Sequence, residues 1–336
     1  MRNKRLQKFY SRLIGIIFIL FVISHFVPVP YQVMEPGIAE ELSPMIEVED
    51  GYDNQGEFLL TAVSSRRAMA WDYFYISFFA PDDKKLTAMS EQMPENMDMN
   101  EYIDLMAELM EESKLQAQAV AFRQAGYEVE VTGDGAEVVE VMEEGSAYNK
   151  LKKGDLITAV DGKKVEMAAD AVNIIKNRDF GELVELTVIR DEEELNFELE
   201  TLELEGNEGN PSIGVLISSK GLDYNIPGSV DFKTENIIGP SAGSVFTMEI
   251  YNQLIPEDIT GGKRIAGTGT ISLDGEIGRI DGVKYKIMAA KEAGADIFIV
   301  PAENYETASE FAGDLELLKA EKISDIIEYL ENEVEL

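Results

Sequence analysis

Gly239-Pro240-Ser241-Ala242-Gly243 sets one serine among small residues, directly ahead of the apolar run Val245, Phe246, Met248, Ile250 and Leu254. Glycine permits a tight turn and the apolar spacing predicts a helix behind it. A serine at that junction lies beside the helix's unpaired N–H groups and its positive dipole end, where a developing oxyanion can be held. The stretch alone leaves two readings open: an ordinary N-cap serine, or a nucleophile whose oxyanion is held by the backbone N–H groups of Ser241 and Ala242.

Composition narrows the chemistry. The chain has one histidine, His25, and no cysteine. His25 lies in an apolar run, so a Ser-His-Asp triad, a thiol nucleophile and a Cys/His zinc site are all excluded. If Ser241 is a nucleophile, lysine is the known substitute for its base. No metal and no cofactor are expected. The net charge of −35 excludes nucleic acid as a partner, because phosphate binding needs basic patches. The 336 residues are enough for two or three domains with a sizeable core. Without cysteine there is no disulfide framework, which leaves the redox compartment open.

Outward from the serine toward the N-terminus, residues 1–12 form a basic tail with Arg2, Lys4, Arg5, Lys8 and Arg12 and no acid. The apolar stretch 13–29 approaches the length that spans a bilayer. Basic residues ahead of it predict a cytoplasmic N-terminus with the rest of the chain outside. A cleaved signal peptide is the competitor, but Phe26, Val27 and Pro28 make a poor cleavage site, which favours an uncleaved anchor. Glu57 to Val63 reads as a strand, and Trp71 to Phe79 as an aromatic run serving the core. Ile103, Met106, Met110 and Ala121 recur at helical spacing before a stop at Gly126.

Residues 127–204 have a different texture. The segment GSAYNKLKKGDLITAVDGKKV (145–165) contains Asp161-Gly162 between Val160 and Val165, a hairpin signal. A helix over 168–177 and alternating strands at 183–189 and 195–199 follow. This order resembles a PDZ domain, a class that binds extended peptides along a sheet edge. By that resemblance the groove lies between Gly135–Met142 and the helix, with Gly135, Ala136, Val138 and Val139 on the peptide. A spacer role is the alternative. Residues 205–211 read as a turn-rich linker, and 212–336 as the catalytic part.

After Gly282 a predicted helix offers Lys284, Lys286 and Lys291. Lys286 shares a stripe with Val283, Ile287 and Ala290, whereas Lys284 falls with Lys291 on another. A lysine on an apolar face loses its proton more easily, because desolvation disfavours the ammonium. It then suits the role of base; a snorkelling lysine fits the same spacing.

GPSAG together with GTGTISLDGEIGRIDGVKYKIMAAKEAGADIFIVP (267–301) resembles the proteolytic domain of Lon proteases, which are serine–lysine peptidases. The likeness covers roughly residues 207–336. It implies Ser241 as nucleophile, Lys286 as base, and Thr268 as a hydroxyl that orients the lysine. Two departures stand out. No Gly-x-x-x-x-Gly-Lys-Ser/Thr pattern for ATP occurs, and Ile238 stands where many Lon enzymes carry an acid. The layout is similar to membrane-anchored PDZ–Lon proteases of Gram-positive bacteria, in which the PDZ domain interrupts the protease fold. That resemblance makes residues 30–126 the first part of the protease domain. It implies an α+β chain with an inserted, mostly β PDZ domain and one transmembrane helix. The function implied is an ATP-independent endopeptidase acting on peptides or unfolded chains outside the cell, compatible with a homo-oligomer because Lon domains often form rings. A non-catalytic PDZ scaffold is the rival reading.

Overall fold

A computed structural model describes residues 2–89, 99–204, 209–234 and 237–334. It divides into two units: residues 1–128 with 226–336, and residues 129–225 inserted between them. In chain order, the first unit opens with α1 (Arg2–Ser24), β1 (Pro28–Glu41), β2 (Ile46–Val48), β3 (Glu57–Met69), α2 (Ala70–Phe79), β4 (Lys85–Ala88) and α3 (Met99–Gln124). The insert contains β5 (Glu130–Thr132), β6 (Gly135–Val141), β7 (Leu156–Val160), β8 (Lys163–Lys164), α4 (Ala168–Lys176), β9 (Leu183–Arg190), β10 (Glu193–Glu200), β11 (Val215–Lys220) and β12 (Asp223–Asn225). The first unit resumes with β13 (Val230–Phe232), α5 (Gly243–Leu254), β14 (Arg264–Gly267), β15 (Thr270–Ile271), β16 (Ile277–Gly278), α6 (Val283–Glu292), β17 (Ile297–Pro301), α7 (Tyr305–Ala312), β18 (Glu316–Ala320) and α8 (Ile323–Val334).

The first unit is built on a mixed sheet in the order β18-β17-β14-β3-β1-β4. β18, β17, β14 and β3 run parallel, and β1 turns antiparallel to β3 and β4. Parallel strands need both faces covered, which explains the all-buried run Ile297–Pro301. One face packs Leu59, Ala266 and Phe298 against Val283, Ile287 and Ala290 of α6. Side chains alternate across a strand, so buried Phe58 and Leu60 point the other way, where α5 packs on β3 between α3 and α8. Gly267 permits that close approach: a Cβ there would lie 2.6 Å from Val245 Cγ1 and 2.9 Å from Ile299 Cβ.

The insert is a sheet in the order β10-β9-β7-β6-β11, with β8 on β7 and α4 closing a core of Val138, Ile157, Val160, Val184 and Leu186. Asp161 and Gly162 both adopt positive φ, at 50° and 71°, the turn that their hairpin signal predicts. β12 pairs antiparallel with β5, Asn225 opposite Glu130, so the insert's entering and leaving segments lie side by side.

Three expectations are corrected. The chain returns to the first unit at Ile226, not at 212, because β11 and β12 complete the insert; within the expected linker, residues 205–208 lie outside the described residues. Trp71–Phe79 is a helix with largely exposed rings instead of core. The helix expected over 13–29 runs from Arg2 and stops at Ser24, because Pro28 already begins β1. Among the described residues no helix is long and apolar enough to cross a membrane.

Candidate active site

Ser241 sits in a 3-10 turn, Pro240–Ala242, that runs directly into α5. Gly239 takes φ 93°, which a side chain would oppose, and its N–H donates to the carbonyl of Met106 in α3 at 3.0 Å. Ser113 Oγ, also from α3, donates to the Pro240 carbonyl at 3.2 Å. Gly243 brings the turn close to its neighbours: a Cβ there would lie 2.5 Å from Ile271 Cγ2 and 2.7 Å from Ser113 Oγ. The serine is thus fixed by its backbone, and its hydroxyl is left for chemistry.

Lys286 enters from α6 on the stripe that its spacing predicts. It is 2% exposed, and among the described residues it forms no ion pair. Its Nζ lies 2.8 Å from Ser241 Oγ and 2.8 Å from Thr268 Oγ1. Burial pulls the ammonium down to about 7. Lys284 instead lies over the Phe311 and Tyr285 rings, and Lys291 reaches the Phe311 carbonyl.

Thr268 sets the direction of the proton. Its hydroxyl donates to the Ser241 carbonyl at 2.9 Å, so towards Lys286 it can only accept. An amine N–H is committed to Thr268, and the lone pair of the neutral amine is left for the Ser241 hydroxyl proton. The Gly269 N–H adds a second bond to the same carbonyl at 2.8 Å. Of the N–H groups at the start of α5, that of Gly243 engages the Pro240 carbonyl and that of Ser244 the Gly269 carbonyl. Those of Ser241 and Ala242 precede them in the turn.

The structure therefore brings Ser241, Thr268 and Lys286 together. It also shows supports that the sequence reading missed. Ser113 interrupts the stripe Met106, Met110, Ala117 of α3, and a polar residue in an apolar stripe was the available signal. Asn304 pairs with both the N–H and the carbonyl of Ile280, each at 2.9 Å, and fixes the loop that leads into α6.

The expected peptide groove on β6 is displaced. β6 pairs with β7 on one edge and with β11 on the other, Val215 opposite Val141 through Lys220 opposite Gly135. Gly135, Ala136 and Val138 are buried and Val139 is exposed, and no edge of β6 remains to receive a strand. β11 takes that place, and an apolar cleft opens between it and α4, lined by Val172, Ile175, Ile213, Val215 and Ile217. The β11 edge was illegible because its partner lies more than seventy residues away in the chain.

Comparison with known proteins agrees with both units. Residues 124–201 match the PDZ domain family, and residues 236–332 match the Lon protease (S16) C-terminal proteolytic domain. Lon protease 2 of Bacillus subtilis (strain 168) is 32% identical over 119 residues, 35% of this chain and 20% of that protein. The mitochondrial Lon protease homolog of Mus musculus is 35% identical over 74 residues, 22% of this chain and 8% of that protein. The chain thus spans a fifth or less of the length of these relatives. A crystal structure of the PDZ domain of an SdrC-like protein from Listeria monocytogenes aligns at 25% identity with TM-score 0.25, over 26% of this chain and 92% of that one. The chain thus holds one segment that matches the PDZ family and, after it, one that matches the Lon C-terminal proteolytic domain.

Proposed function

We propose that this chain is an ATP-independent, membrane-attached serine endopeptidase that cuts peptides and flexible or unfolded chains on the outer side of the cell membrane. The observation that carries the chemistry is the Lys286 amine, buried with no ion pair among the described residues and 2.8 Å from Ser241 Oγ. Neutral Lys286 takes the Ser241 proton as Oγ attacks the scissile carbonyl. The N–H groups of Ser241 and Ala242 hold the oxyanion. Lys286 returns the proton to the leaving amine, then activates the water that releases the acyl-enzyme. The PDZ cleft between β11 and α4 would take an extended segment of substrate as an added strand.

Membrane attachment rests on α1. From Leu13 to Ile23 it exposes leucine, isoleucine, valine and phenylalanine around its whole circumference, a pattern suited to lipid and not to water. That apolar stretch has 11 residues, roughly 16 Å at 1.5 Å per residue, about half the thickness of a hydrocarbon core.

The test is cleavage of unstructured casein and a peptide library by the full chain in detergent. Ser241→Ala and Lys286→Ala should abolish cutting, and Lys284→Ala should keep it. A folded wild type that cuts nothing would favour the scaffold reading. Efficient degradation of a stably folded, loop-free protein would refute the restriction to flexible substrates.

A further inference from the structure

Helix α2 is hard to explain as part of a water-facing enzyme. Six of its ten residues are aromatic: Trp71, Tyr73, Phe74, Tyr75, Phe78 and Phe79. Phe74, Phe78 and Phe79 are 55%, 73% and 60% exposed, and they stack mainly on one another and on Tyr75. Asp72 is the helix's one charge, and Arg66 and the Met69 N–H neutralise it at the first turn.

Its position is tied to α1. Phe21 meets Trp71 edge to face at 4.7 Å, His25 stacks on Trp71 at 5.5 Å, and the Ala70 N–H bonds the Val27 carbonyl at 2.8 Å. Only residues 25–27 separate the end of α1 from β1, a reach of about 10 Å. Wherever α1 ends, α2 lies beside it. The charges around α2 cancel, in a chain that is otherwise strongly acidic. Arg66 and Arg67 precede it and Lys84 and Lys85 follow it, in a protein of net charge −35. Arg66 pairs with Asp72 and Lys84 with Glu35, and Asp82 and Asp83 stand at the same tip; Arg67 and Lys85 form no ion pair among the described residues. Exposed aromatics on a helix with no net negative charge around it suit the boundary between acyl chains and headgroups.

We propose that α2 is a second membrane contact, lying in the headgroup layer of a phospholipid bilayer with Phe74, Phe78 and Phe79 inserted. This rests on α1 being the anchor. It makes the protease unit lie against the membrane instead of swinging on a tether.

Trp71 is the only tryptophan, so the reporter can be moved. In a Trp71→Phe background, Phe78→Trp places it on the proposed face. Tyr52→Trp places it ahead of β3, whose far end leads into α2, at a site 51% exposed. Full chains are reconstituted into phosphatidylcholine–phosphatidylglycerol vesicles and floated, and emission is read with lipids brominated near the headgroup end of the acyl chain. The expected result is blue-shifted emission at position 78, lost on bromination, with position 52 unaffected and open to iodide. Co-flotation with position 78 unquenched and open to iodide would overturn the proposal and leave the anchor standing. Blue-shifted emission indifferent to bromine would overturn it in favour of a second copy of the chain covering α2. Quenching at both positions would mean nonspecific adsorption and also overturn it. Failure to float would refute the anchor, and this proposal with it.

Discussion

Replacing Lys286 by methionine should destroy the enzyme and stabilise the fold, by an amount that depends on pH. The amine falls from 10.5 to about 7 on burial, so the unfolded chain binds more protons than the native one throughout that interval. Native stability therefore rises with pH between those values, and the full cost of the buried amine is present below about pH 7. At roughly 1.36 kcal/mol per unit, that cost is about 4 kcal/mol at pH 7 and about 1–2 kcal/mol at pH 9.5. Methionine has similar bulk and no charge, but it loses the bonds to Ser241 and Thr268, about 1–2 kcal/mol together. Lys286→Met should thus gain about 2–3 kcal/mol at pH 7 and little or nothing at pH 9.5. Urea unfolding followed by Trp71 fluorescence, which reports on the protease unit, measures the difference at each pH. A difference that does not change with pH would show that the amine keeps its ordinary affinity for protons, and the base assignment would fall.

The activity of the wild type should climb as pH passes through about 7 and then level off, read as kcat/KM on a short peptide, and EDTA should leave it unchanged. Thr268→Val removes the hydroxyl that receives a Lys286 N–H, so kcat should fall by about 10- to 100-fold with KM held, and Thr268→Ser should restore it. Glu249, buried on α5, is raised by desolvation to about 7, so the native state loses stability as pH rises through that value. Glu249→Gln should be neutral in the acid range and stabilising by about 3 kcal/mol above pH 7, in urea melts at two pH values. Gly243→Ala forces a Cβ against Ile271 and Ser113; it should lower stability by about 1–3 kcal/mol and move Ser241 away from Lys286, seen as a lower urea midpoint with lost cleavage.

The parts of the site written in local periodicity were legible. Lys286 shares its stripe with Val283, Ile287 and Ala290, and the folded helix buries that stripe. Ser241 was legible as a turn serine, and the absence of any other histidine or cysteine left lysine as its base. Thr268 was not: a strand threonine has no local signature, and only the family likeness pointed to it. That the edge of β6 is occupied was not legible, because β11 pairs with it across the whole insert, a contact no window of neighbouring residues contains. The aromatics of α2 were assigned to the core on hydrophobicity alone, and hydrophobicity does not say which apolar medium a helix meets.

The side-by-side course of β5 and β12 bears on how the protease assembles. Its β1–α3 half and its β13–α8 half must meet across an intervening chain of roughly a hundred residues, and closing a flexible loop of that length is entropically costly. Once the insert folds, its two ends are already neighbours, and the loop to be closed shrinks to a few residues. The logarithmic law for loop closure puts that saving at about 2–3 kcal/mol. The PDZ unit thus works as a splint for the interrupted chain, and lesions in its core should slow maturation of a catalytic centre they never touch.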